Sequence, residues 1–98
     1  MARDTYTIRS KAWLYPGMAG WHFMNIDKKK SEDIKKRFGR NARGFGSLPV
    51  LVTLGKTSWN TSIFPDKQSG TYLLPLKAGV RKKEGVRNGD TVSFTITL

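Results

Sequence analysis

Eight lysines and arginines fall between Lys28 and Arg43: Lys28, Lys29, Lys30, Lys35, Lys36, Arg37, Arg40 and Arg43, against two acids. Five more, Lys77, Arg81, Lys82, Lys83 and Arg87, fall within one later stretch against a single acid. Together the two stretches hold nearly all of the formal charge of +11 on this 98-residue chain. Cations at that density neutralise phosphates and gain affinity by releasing counterions, so nucleic acid or another polyanion is the leading partner they imply. A second chemistry is available around Trp59, Asn60 and Ser62, where an indole stands among hydroxyl and amide side chains. With Lys77 and Arg81 these residues would line a groove for a small ligand or peptide with an anionic end. Basic stretches also occur as solvated faces that bind nothing specific, and charge alone does not choose among these readings.

Other chemistry is poorly supplied. There is no cysteine and one histidine, His22, and Glu32 and Glu84 are the only glutamates. That removes thiolate metal sites, disulfides and cysteine nucleophiles, and it starves acid–base catalysis of its usual residues. Neither a nucleophile elbow nor a Walker-type phosphate loop is present, so His22 reads as structural and the chain as a binder rather than an enzyme, with no cofactor and no metal. Arg43-Gly44-Phe45-Gly46 matches the opening of an RNA-recognition signature, but Ser47, Leu48 and Val50 replace the residues that should follow. Among the tryptophans, Trp21 shares a strand with Phe23 and is expected in the core, Trp59 at the mouth of a polar groove, and Trp13 partly exposed.

The elements that must position these groups are mostly strands. Tyr6, Ile8, Ala12 and Leu14 share one parity and Arg9, Lys11 and Trp13 the other, predicting a half-buried strand that Pro16-Gly17 ends. Trp21 to Ile26 is apolar on both parities, predicting a strand with both faces covered, one by the barrel or sheet and one by a helix. A helix should follow, with an N-cap oxygen between Asp27 and Ser31, Glu32 and Asp33 in its first turn, and Lys35, Lys36 and Arg37 in its last. Gly39 would stop it, and Ile34 and Phe38 would form its buried stripe. After the glycine-rich loop to Ser47, Leu48, Val50, Val52 and Leu54 point inward, Gly55-Lys56 turns, and Thr57 to Phe64 returns. Tyr72, Leu74 and Leu76 form the next inward set; Ala78 to Val86 makes at most two short helical turns, weakened by Gly79 and Gly85. Val92, Phe94, Ile96 and Leu98 close the chain in the cleanest alternation of all. No internal repeat is visible. The expected fold is mainly β: one domain spanning residues 1–98, a small barrel of about six strands with one short α-helix and a second helical turn.

Four ordered segments, Gly44-Phe45-Gly46-Ser47-Leu48-Pro49-Val50, Trp59-Asn60-Thr61-Ser62-Ile63-Phe64-Pro65, Tyr72-Leu73-Leu74-Pro75-Leu76-Lys77-Ala78-Gly79-Val80-Arg81-Lys82 and Gly89-Asp90-Thr91-Val92, resemble the DUF1905 family from about Tyr6 to Leu98. The resemblance implies a double-split β-barrel, related in architecture to AbrB/MazE-type transcription regulators and antitoxins but made from a single chain. It brings no established activity. Phe45 stands where the family often carries Trp. Those regulators bind DNA as dimers, through basic residues on a barrel built by two chains, and Leu76 to Val92 has the layout of their short helical connection. The start, Met1-Ala2-Arg3-Asp4-Thr5, carries no signal-peptide pattern and no apolar run is long enough to span a bilayer, so a cytoplasmic location without membrane contact is expected. Monomer and dimer stay open. Whether the two basic stretches meet on one face decides what the charge means.

Overall fold

Six segments form strands, five of them rich in Val, Leu, Ile or Thr and the short β2 built on Phe23 and Met24 instead: β1 (Thr5–Leu14), β2 (His22–Asn25), β3 (Leu48–Leu54), β4 (Thr57–Asp66), β5 (Thr71–Pro75) and β6 (Thr91–Thr97). In the computed structural model, which describes residues 4–17 and 20–98, they close a barrel in the order β1-β2-β5-β4-β3-β6, every neighbouring pair antiparallel. The reading of Met1-Ala2-Arg3 lies outside the described residues. Helix α1 (Lys28–Phe38) joins β2 to β3, and α2 (Ala78–Glu84) joins β5 to β6. The element order is thus strand, strand, helix, strand, twice over. Exchanging the two halves leaves the list of neighbouring strands unchanged, so the barrel has a pseudo-twofold arrangement that no residue repeat announces.

The inward sets predicted on β3, β5 and β6 supply the core: Leu48, Val50, Val52, Leu54, Tyr72, Leu74, Leu76, Phe94 and Ile96 are all buried. Leu14 departs from its predicted place, because β1 ends there and the side chain sits at the open rim, 45% exposed. Trp21 also departs. It precedes β2 and is 50% exposed, since the outer face of β2 is covered by aromatic neighbours rather than by a helix. Phe23 has Trp13, Tyr15 and Trp21 around it at centroid distances of 5.5, 5.7 and 5.8 Å.

Helix α1 begins one residue after Asp27, whose carboxylate accepts from the Lys30 N–H at 3.2 Å. That early cap puts Lys28, Lys29 and Lys30 in the first turn and moves Glu32 and Asp33 to the second, correcting the predicted placement. Asp27 also pairs with Lys30 at 3.6 Å, which offsets lysine charge at the positive end of the helix. The helix stops at Gly39 as expected, with right-handed rather than left-handed geometry there, and the chain tightens into a 3-10 turn over Gly39–Asn41. Gly85 does take the left-handed conformation, and so ends α2 rather than weakening it.

Ser31 and Ile34 are the buried residues of α1, and Ser31 does more than fill space. Its hydroxyl donates to the Ile26 carbonyl at 2.9 Å and accepts from the Tyr72 N–H at 3.0 Å, joining the end of β2, the helix and β5. On the other side, the Tyr6 hydroxyl donates to Asp33 at 2.7 Å and accepts from Arg37, which also pairs with Asp4 at 2.6 Å. Helix α1 is therefore held between β1 and β5, in the place β2 would occupy if it continued.

Ser31→Ala leaves a buried N–H and a buried carbonyl without this partner and should lower the unfolding free energy by roughly 1–3 kcal/mol. The exposed neighbour change Glu32→Ala should stay within about 0.5 kcal/mol, both read from urea denaturation. The Tyr6 phenol is held above its ordinary value, first by burial and then by its bond to Asp33. Folding thus favours its protonated form, a contribution present in full below about pH 10 and lost as pH rises through the folded value. Ultraviolet titration of tyrosinate should lose a late-ionising component in Tyr6→Phe. The stability of the natural chain relative to that variant should fall above about pH 10.

Candidate functional site

The two-residue turn at Gly55-Lys56 makes Leu54 and Thr57 a hydrogen-bonded pair. Hydrogen-bonded and open pairs alternate along an antiparallel ladder, so Trp59, Thr61 and Ile63 also bond to β3, while Asn60, Ser62 and Phe64 turn their N–H and C=O groups toward β5. On β5, Leu76 donates to His22 and Ile26 donates to Tyr72, so Tyr72, Leu74 and Leu76 face β2 and Leu73 and Pro75 face β4. The β4–β5 register pairs Phe64 with Leu73 and goes no further. Two residues on, Ser62 would stand opposite Pro75, which has no N–H to give. The ladder stops there. The backbone of Asn60 and Ser62 is left facing a split in the barrel wall.

A cleft of about 880 Å³ occupies that split. Asn60, Thr61, Ser62 and Phe64 of β4 form one wall; Pro75, Leu76, Lys77, Ala78 and Arg81 form the other, with Gly20, Trp21 and His22 beside them. Helix α2 roofs it, running from the end of β5 to β4, where Thr57 donates to Glu84 at 2.6 Å. Arg81 is half-buried and fixed by donating to the carbonyls of Leu76 at 3.3 Å and Gly20 at 3.2 Å. His22 Nδ1 lies 3.0 Å from the same Gly20 carbonyl. Among the described residues no carboxylate lines the cleft, so its two cations face nothing anionic there. Elsewhere Asp66 and Asp90 cap turns through Ser69 and the Arg87 N–H, and Glu84 is bound to Thr57.

Of the predicted groove residues, Asn60, Ser62, Lys77 and Arg81 come together here and Trp59 does not. Trp59 has the opposite parity to Asn60 and Ser62, and its ring packs against the core with its indole N–H buried and unpartnered. The aromatic rings of the cleft are Trp21 and Phe64, neither expected there, and His22 is also on its wall. Strand parity would have found Phe64, which shares its face with Asn60 and Ser62.

The basic stretches are separated. Strand directions alternate around the closed barrel, so the connection after β2 and the connection after β5 lie at opposite ends. Lys28, Lys29, Lys30, Lys35, Lys36 and Arg37 ride on α1, with Arg40 in the 3-10 turn and Arg43 before a second one at Gly44–Gly46. Lys77, Arg81, Lys82, Lys83 and Arg87 belong to the α2 end. At the α1 end Lys30 and Arg37 are paired with acids, while Phe45 projects into solvent, 98% exposed and left-handed at φ 61°. The cleft at the pseudo-equivalent position, between Tyr6 and α1, is about 530 Å³ and contains Glu32 and Asp33.

Arg81→Ala should release the Gly20 and Leu76 carbonyls and loosen the segment before β2. The expected result is a stability loss of about 1–3 kcal/mol together with faster amide exchange at Trp21 and His22 than at Phe94.

The family model described as a domain of unknown function, DUF1905, matches residues 9–96, so the chain belongs to that family. No curated protein matches it.

Proposed function

We propose that this DUF1905 domain is a binding module whose β4–β5 cleft takes a ligand with an apolar body and an anionic end. Trp21 and Phe64 meet the body; Lys77 and Arg81 meet the anion. The supporting observation is the lining itself, which sets two cations and two exposed rings together without a carboxylate. Apolar side chains left open in a concave, cationic site gain by burial against a ligand, and a cation already held in place loses little freedom on meeting an anion. Arg81 is so held, by two carbonyls.

A second reading is supported at the other end of the barrel. Among the described residues, no ion pair involves Lys28, Lys29, Lys35, Lys36, Arg40 or Arg43, and the ring of Phe45 beside them is free to stack. A polyanion bound there would use the α1 end alone, because the opposite placement of the α2 bases argues against one phosphate track through both.

One titration separates the two. An anilinonaphthalene sulfonate probe should bind the natural chain, and Lys77→Glu should weaken it about tenfold or more, while Lys35→Glu with Lys36→Glu leaves it nearly unchanged. Absence of binding, or equal loss in both variants, would overturn the cleft reading. If instead a mixed-sequence duplex binds with a steep salt dependence that only the α1 variant flattens, function moves to the α1 end.

A further inference from the structure

The split offers something a small anion does not need. Asn60 and Ser62 each turn one N–H and one C=O toward the place β5 has left, and both residues line the cleft. That is the free edge of a strand, and the ligand that matches a strand edge is another extended backbone.

Building on the cleft reading, we propose that the domain recognises the C-terminus of an extended peptide, which adds as a strand antiparallel to β4 and places its terminal carboxylate at Lys77 and Arg81. Direction follows from the fold. A strand antiparallel to β4 runs as β5 does, toward α2. In the register that sets Pro75 opposite Ser62, Lys77 falls level with Asn60, so the peptide approaches that lysine as it passes Asn60. It cannot run on, because α2 crosses from β5 to Thr57 of β4 above it. A strand stopped by a roof and facing two cations is suited to ending there in a free carboxylate. Charge complementarity selects the terminus, and the absence of a carboxylate in the lining means that nothing competes with it. Successive strand residues rise ~3.4 Å, so only a few terminal residues enter the split. Trp21 and Phe64 favour apolar side chains among them.

The probe is an equimolar pool of acetylated pentapeptides with Val, Ile, Thr, Phe or Tyr at each position and a free C-terminal carboxylate. The same pool is prepared as C-terminal amides, and again with every peptide nitrogen methylated. The free-acid pool should bind roughly tenfold or more tightly than the amide pool, lose binding on methylation, and slow hydrogen exchange at the Asn60 and Ser62 amides. Equal affinity for acid and amide overturns the carboxylate assignment. Retained binding after methylation, or unchanged exchange at Asn60 and Ser62, overturns strand addition. If the naphthalene sulfonate binds in a Lys77-dependent manner while no peptide pool binds, this proposal fails and the cleft reading stands; if neither binds, both fail.

Discussion

Two ten-residue strands, β1 and β4, each serve two sheets, and the shape of the barrel follows from that division. β1 gives Thr5–Lys11 to β6 and Ala12–Leu14 to β2; β4 gives Thr57–Ile63 to β3 and Phe64–Asp66 to β5. A strand that changes partner part-way must leave an edge uncovered where the second partner has yet to arrive. The backbone groups on such an edge need water, a side chain or another chain. Both helices, both clefts and the ends of the molecule are arranged around these two places.

The acids are few and mostly committed to structure. Asp27 caps α1, Asp4 and Asp33 hold Arg37, Asp66 and Asp90 order turns, and Glu84 anchors α2 to β4. Arg37 responds by holding its proton still more firmly than an ordinary arginine, chiefly through its hydrogen bond to Asp4. With seven acids against eighteen bases, this leaves unneutralised charge at both ends of the barrel. The net charge is therefore a statement about how the acids are used. In the β4–β5 cleft that charge is gathered beside two exposed rings with no acid among the described lining residues.

Strand period made most of the fold legible, because one buried face repeats every two residues and the turns carry glycine, proline or asparagine. The same rule, applied to Trp59, excludes it from a face shared by Asn60 and Ser62; an indole among polar neighbours suggested a groove only while parity was ignored. Trp21 misled for another reason. An apolar outer face looks the same in sequence whether a helix or a group of exposed rings covers it. The opposite placement of the basic stretches was implicit in six alternating strands with helices after the second and fifth. The split itself lay beyond local reading, since it depends on Pro75 standing opposite Ser62, and that register exists only once β4 and β5 have paired.

Why one split is open and its counterpart is closed comes down to the two helices. Helix α1 has eleven residues and sends Ser31 and Ile34 into the barrel with Phe38 packed against it, while Tyr6 and Arg37 bind it to β1. Its cleft is shallow and already contains both signs of charge. Helix α2 has seven residues, ends at Gly85 and buries Val80 alone. Seven residues at a rise of ~1.5 Å span only about 10 Å, enough to roof the split and too little to fill it. The early stop at Gly85 thus preserves the exposed edge of Asn60 and Ser62. A longer amphipathic α2 would have covered that edge as α1 covers its own, so the shortness of this helix is what leaves the split open.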